Sequence, residues 1–192
     1  MSAVPSWFPG SEQKPAPMPL LMVQGFVNTL DLEEGTDVLA DPDAARDWLV
    51  ATRLLDPAAD LAPPDLELAR EVRESLRWLL ERDREEPAAG ADRLVALRKV
   101  TDAHQARLTV SDGGALKLAS ARHQDLGDGL FELLLIVRQA QEDGSWERLK
   151  VCANPECRWA FFDRSRNQQG SWCEMAVCGN REKNRQLRAR RR

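Results

Sequence analysis

Four cysteines fall within 27 residues of this 192-residue chain. Cys152 and Cys157 are separated by four residues, Cys173 and Cys178 by four more, and 15 residues lie between the pairs. Two short loops that each offer two thiolates suit a cation wanting a tetrahedron of soft ligands, and a closed four-sulfur site of this kind is the habit of structural zinc. No histidine or acid sits in an obvious ligand slot, so an open, catalytic metal is not expected. The spacing also admits two disulfides, an iron–sulfur cluster or four buried free thiols. A redox-active pair fits less well, because the tight Cys-x-x-Cys spacing is absent. One structural zinc is the reading we adopt. A module this small buries too little apolar surface to fold alone, and a metal would supply the missing stability.

The residues around the cysteines are basic. Beyond Asn180 the propensity is helical, and Arg181, Arg185 and Arg188 then share one face at steps of four and three, with Lys183 beside them. Arg164 and Arg166 lie on the loop between the cysteine pairs. Such a row can track the phosphates of a nucleic acid, although phosphate contacts carry no base information. The charge is divided accordingly. Residues 1–146 hold 15 Lys/Arg against 26 Asp/Glu, a balance of −11, and residues 147–192 hold 12 against 5, a balance of +7. This asymmetry suggests a polyanion-binding end on an acidic body. The same asymmetry would also let the basic end fold back on that body, or dock a protein with no nucleic acid involved. Trp159, Phe161, Phe162 and Trp172 read as a small core of the module rather than as base-stacking platforms.

The elements that must position these groups are mostly helical. Residues 1–19, with five prolines, read as a flexible leader outside the core. Leu20, Leu21, Val23, Phe26, Val27 and Leu30 fit a short helix from Leu20 to Leu32, followed by an acidic loop to Asp41. Asp41-Pro42 reads as a helix start, with Trp48, Leu49, Leu54 and Leu55 inward. After Pro63-Pro64, the positions Leu66, Ala69, Val72, Leu76, Leu79 and Leu80 repeat at helical spacing. Glu67, Arg70, Glu71, Arg73, Glu74 and Arg77 read as that helix's solvated, salt-bridging face. Pro87 to Gly90 break it, and Leu94, Leu97 and Val100 mark a further helix. Residues 107–120 alternate around Asp112-Gly113-Gly114 and predict a hairpin. Leu130 to Val137 is apolar enough for the central buried helix, ended by Asp143-Gly144. Trp146 to Val151 reads as a strand into the first cysteine. Between the cysteine pairs, Phe161-Phe162-Asp163 and Ser171-Trp172 suggest a second hairpin.

The stretches Val151-Cys152-Ala153-Asn154-Pro155-Glu156-Cys157, Phe162-Asp163-Arg164-Ser165-Arg166-Asn167, Trp172-Cys173-Glu174-Met175 and Cys178-Gly179-Asn180-Arg181 together resemble the CGNR zinc finger family over about residues 148–190. Phe26-Val27-Asn28-Thr29-Leu30 and the order of elements look like the ABATE domain that precedes this finger. The resemblance implies zinc on all four cysteines and nucleic-acid binding by the finger, DNA first and RNA second. It further implies a bacterial, stress-linked transcription regulator whose N-terminal domain senses an unknown small molecule.

The expected fold is therefore α+β and mostly α. A helical sensor domain with a small β-hairpin spans 20–146, and a zinc-ribbon or treble-clef-like finger with a basic helix spans 147–192. Asn28 and Thr29 end the first helix, where they could cap it or line a ligand pocket. His104 and His123 read as surface or boundary residues. Asp163 could brace Arg164 or Arg166. No nucleophile–base motif or phosphate loop supports an enzyme. No apolar run of 18 residues and no secretory pattern occurs, so a cytoplasmic protein away from the membrane is expected. A homodimer reading two half-sites would fit a regulator.

Overall fold

The computed structural model describes residues 5–8, 12–81 and 90–190. Among the described residues, six α-helices carry the fold: α1 (Leu20–Val27), α2 (Pro42–Ala51), α3 (Pro63–Leu80), α4 (Val95–Ala103), α5 (Leu126–Asp143) and α6 (Asn180–Arg190). Between them lie three antiparallel strand pairs, β1 (Leu30–Asp31) with β2 (Thr36–Asp37), β3 (Ala106–Val110) with β4 (Leu116–Ser120), and β5 (Leu149–Val151) with β6 (Ala160–Phe162). The helix starts follow local chemistry. Asp41 Oδ1 accepts from the Ala44 N–H at 2.8 Å with Pro42 in the first turn, and Asp125 Oδ1 accepts from the Asp128 N–H at 2.9 Å. Gly144, at φ +76°, closes α5 with a left-handed residue.

The central helix α5 is the hub. Leu126, Leu130, Leu133 and Ala140 are buried against Val23 and Phe26 of α1, Leu76 of α3 and Val100 of α4. It approaches the loop after α2 so closely that a Cβ on Gly129 would lie 1.8 Å from the Leu54 carbonyl oxygen, so only glycine fits there. The same apolar cluster runs on through Trp146, Leu149, Ala160 and Phe162. The first strand pair of the cysteine module is thus part of the body's core.

Several sequence expectations change. Helix α1 stops at Val27 rather than reaching Leu32. Thr29 Oγ1 donates to the Phe26 carbonyl at 2.8 Å, and Asp31 Oδ1 accepts from the Glu33 and Glu34 N–H groups at 2.9 and 3.0 Å. These local bonds compete with helix continuation, and the chain turns back as β1–β2. The supposed solvated face of α3 is also partly interior: Arg73 is 3% exposed and Arg77 0%. Arg73 makes a two-pronged pair with Asp37, at 2.5 and 2.9 Å. Burial would raise the Asp37 pKa, but the Arg73 guanidinium holds it below its ordinary value.

The leader does not stay outside the core. Phe8 and Ala16 are buried, and residues 12–16 run between α1 and the cysteine module, where the Lys14 carbonyl accepts from the Phe162 N–H at 2.9 Å. Residues 1–4 and 9–11 of the leader, and most of the Pro87–Gly90 break, lie outside the described residues. The hairpin at 106–120 forms as expected, though Leu108, Val110 and Leu116 remain exposed on it. No helix among the described residues is long and apolar enough to cross a membrane.

Candidate metal centre and basic helix

The four cysteine sulfurs come together at the edge of the body. All lie within 4.8 Å of one another, with Sγ separations of 3.7 Å for Cys157–Cys173 and for Cys173–Cys178. A tetrahedron of Zn–S bonds of about 2.3 Å places sulfurs roughly 3.8 Å apart, so the donor set and its spacing fit one zinc ion. Cys152 follows β5 directly. A turn through Asn154 then brings Cys157 round: the Asn154 carbonyl accepts from the Cys157 and Arg158 N–H groups, both at 3.0 Å. Arg158 takes φ +49° as the chain leaves this knuckle. Cys178 sits in a π-helical turn, Met175–Gly179, that runs straight into α6. Gly179 lets Met175 fold over this turn, since a Cβ would lie 2.3 Å from Met175 Sδ and displace that side chain.

Four thiols are enough to complete a tetrahedron around one ion. Cys152, Cys157 and Cys178 are buried and Cys173 half-buried, with Phe161 beneath them and Trp159, Trp172 and Val177 around them. Trp159, Phe161 and Trp172 thus form the expected small core, whereas Phe162 packs into the body's core instead. Asn154 Nδ2 donates towards Cys178 Sγ at 3.7 Å, the kind of outer contact that steadies a thiolate ligand. As bare thiols the cysteines would share protons: bonds from Cys157 and Cys173 drive the Cys152 thiol down to about 2, while the bond to Cys152 pushes Cys157 up to about 12 and Cys173 further up. A dication is what allows all four to be thiolates together.

The pairing within the module differs from expectation. Phe161 and Phe162 pair with β5, in the register Lys150↔Phe161 and Leu149↔Phe162, not with Ser171-Trp172. The Cys152–Cys157 knuckle reverses the chain sooner than the longer loop does, and the Ser171 carbonyl instead accepts from the Ala153 N–H at 2.9 Å. Asp163 braces neither Arg164 nor Arg166. It takes the buried Lys150 ammonium at 2.5 Å and the Ser165 and Gly170 N–H groups at 3.0 and 2.8 Å. Burial would raise its pKa, but these donors hold the carboxyl well below the usual carboxylate range.

Polar side chains of the body grip the module by its backbone. Asn28 accepts from the Ala160 N–H at 2.7 Å and donates to the Ala160 carbonyl at 2.9 Å, and Gln24 adds a donor to that carbonyl at 3.1 Å. Asn28 and Thr29 do border a cleft of about 530 Å³ beside the cysteines. Both already make protein hydrogen bonds, Thr29 to Phe26 and Arg73, while the Asn28 amide keeps a second N–H and a second lone pair beyond its bonds to Ala160. Arg77 was missed by the sequence reading. Its guanidinium donates to the Val27 and Arg158 carbonyls, both at 2.7 Å, while its Nε, 3.3 Å from Glu74, has no hydrogen-bond partner. Burial pushes this guanidinium below its ordinary pKa. Only its place in the heptad-like run of α3, one position after the buried Leu76, hinted at this.

The basic residues are divided in their engagement. Arg181, Arg185 and Arg188 line one concave surface with Asn154 and Asn184, about 690 Å³ in volume. Arg181 pairs with Glu33 of the body at 2.6 Å, and Arg185 with Glu182 at 2.5 Å. Arg188, Lys183 and Arg166 are exposed, and Arg164 donates to the Pro15 carbonyl at 2.7 Å.

Residues 22–142 match the family model ABATE, described as "Putative stress-induced transcription regulator". Residues 148–191 match the model of the CGNR zinc finger, in that order along the chain. No curated protein matches the chain.

Proposed function

We propose that this chain, which belongs to the ABATE family and carries a CGNR zinc finger at its C-terminal end, is a DNA-binding regulator without a catalytic step. The observation that carries the reading is the continuity of the last zinc ligand with the basic helix. Cys178 lies in the turn that starts α6, and Arg181, Arg185 and Arg188 face one groove. Zinc would then hold the base of the helix while its arginines meet phosphates, a task suited to a cation row on a rigid element. The helical body would sense a small molecule in the reducing interior of a bacterial cell, where thiolates persist. A homodimer would let two such helices read two half-sites.

A second reading has its own support. The Arg181–Glu33 pair and the grip of Arg77 on Arg158 bind the finger to the body. The finger could therefore be an interaction module that never meets nucleic acid. Fluorescence anisotropy on a random-sequence duplex separates the two. The DNA reading expects log affinity to fall linearly with log salt, and the slope to shrink by roughly 0.9 for each of Arg181, Arg185 and Arg188 changed to Ala. Binding that ignores both salt and these arginines would leave the docking reading in place.

A further inference from the structure

A second set of donors converges far from the cysteines. His104 follows the end of α4, and Asp125 and Asp128 stand at the head of α5. Their ligand atoms lie within 4.8 Å of one another. His104 Nε2 is 3.9 Å from Asp125 Oδ1 and 3.9 Å from Asp128 Oδ1, too far for a hydrogen bond to either. The other ring nitrogen fixes the tautomer. Nδ1 is 2.8 Å from the Val100 carbonyl, which can only accept, so Nδ1 carries a proton, and in the neutral ring the Nε2 lone pair faces the carboxylates. Stacking on Phe131, with ring centres 5.9 Å apart, holds the ring in place. Asp128 is 3% exposed. Its Oδ2 accepts from the Gln124 N–H at 2.9 Å, while its Oδ1 has only the long contact to Ser120 Oγ at 3.4 Å.

Two carboxylate oxygens and the Nε2 of a neutral ring thus face one point, with Asp125 Oδ1 also accepting from the Asp128 N–H at 2.9 Å. The space is kept open by Gly127. A Cβ there would lie 2.6 Å from His104 Nε2 and 3.1 Å from Asp125 Oδ1, filling the gap between the donors. Bonds of about 2.0–2.2 Å to a tetrahedral ion place donors roughly 3.3–3.6 Å apart, so an ion would draw the 3.9 Å His104 separations in by a few tenths of an ångström. The recess of about 280 Å³ bordered by Asp102, Gln105 and Arg122 leaves the outer side open for water ligands. The N-terminal dipole of α5 disfavours a cation, but the two carboxylates at that end offset it.

We propose that His104, Asp125 and Asp128 form a second metal site in the body, taking an exchangeable divalent first-row transition ion such as Zn²⁺. One imidazole with two carboxylates and open positions is a mixed donor set for such ions, not for the soft thiolate chemistry of the finger. Its backbone-bonded imidazole is the outer-shell arrangement that metal-ligating histidines use. The rival is a proton: an imidazolium held between the two aspartates would satisfy the same lone pairs.

Equilibrium dialysis of the full-length, zinc-loaded protein against micromolar Zn²⁺, followed by elemental analysis, should give two ions per chain. His104→Ala and Asp125→Asn should give one, the finger's, with native circular dichroism. Gly127→Ala keeps every donor but fills the gap, and should weaken the second ion at least tenfold. Nitrogen NMR should show Nε2 of His104 shifting on Zn²⁺ addition to the wild type. A wild-type protein that stays at one ion per chain overturns the site, as does a second ion that persists in both donor variants or a His104 ring that titrates unchanged with Zn²⁺ present.

Discussion

On its inward side the finger meets the body through buried polar atoms matched almost one to one. Both hydrogen-bonding groups of Ala160 are taken by Asn28, the Arg158 carbonyl by Arg77, and the Phe162 N–H by Lys14. On its outward side α6 displays its cations to solvent, with Arg181 and Arg185 in surface pairs and Arg188 exposed. The contrast separates two uses of charge in one small module. A buried polar group is costly when it loses its partner, so the inward side governs folding. An exposed charge stabilises little, so the outward side can be spent on a ligand. Changes on the inner side should therefore register in stability, and changes on the outer side in binding.

Removal of the metal should have the largest effect. A structural zinc contributes about 10–16 kcal/mol to isolated finger peptides at neutral pH. Here Leu149, Ala160 and Phe162 belong to the body's core. Chelation, or Cys→Ser at any of the four cysteines, should then lower the melting of the whole chain in one transition, seen by calorimetry and circular dichroism together. A body that melts at its original temperature after the finger has unfolded would break the inward half of the comparison.

Arg77 comes next. Its removal leaves the Val27 and Arg158 carbonyls buried without their donor. Arg77→Met should cost about 3–5 kcal/mol by urea unfolding, in the range for breaking a buried charged network. Arg77→Lys should restore little of it, because one ammonium cannot reproduce the planar fork that reaches two carbonyls at once. A loss under about 1 kcal/mol for the Met variant would mean that the seam is not held by this residue.

These two positions also mark what can be read from sequence. The metal centre was legible because its chemistry is written in residue type and spacing, and the helices because apolar period and caps are local. Arg77 was not legible. An arginine three residues from the end of an amphipathic helix looks solvated, and only the tertiary approach of Val27 and of the Arg158 knuckle makes it interior. The same holds for the pairing of β6. Its partner depended on how sharply the Cys152–Cys157 knuckle turns, a matter of backbone geometry at Asn154 and Arg158. The end of α1 lay between these cases: Asn28 and Thr29 were read as candidate caps, but their bonds to Ala160 and Phe26, with that of Asp31 to Glu33, fold the chain back.

Asn28→Ala should show a middling loss. It orphans the Ala160 N–H, while Gln24 still serves the Ala160 carbonyl. One unsatisfied buried donor costs about 1–3 kcal/mol. Hydrogen exchange at Ala160 should accelerate with it. A stability close to wild type, combined with weakened binding of a body ligand, would move Asn28 from the seam to a pocket.

The smallest expected effect tests the outward side alone. Glu33 of the body holds Arg181 at 2.6 Å, and it raises the pKa of that guanidinium by accepting its hydrogen bond. Both side chains are well exposed, 50% for Arg181 and 35% for Glu33, so Glu33→Gln should leave the melting temperature nearly unchanged. If the α6 arginines meet phosphates, Glu33 is a competitor for Arg181, and a duplex must displace it. Glu33→Gln should then tighten DNA binding roughly two- to fivefold at low salt, a gain of the size that surface ion pairs carry. The gain must vanish in the Arg181→Ala background, because the variant acts only by releasing that arginine. A gain that survives there would assign the effect to general loss of negative charge, and no gain in either background would place Arg181 on the inward, structural side of the division.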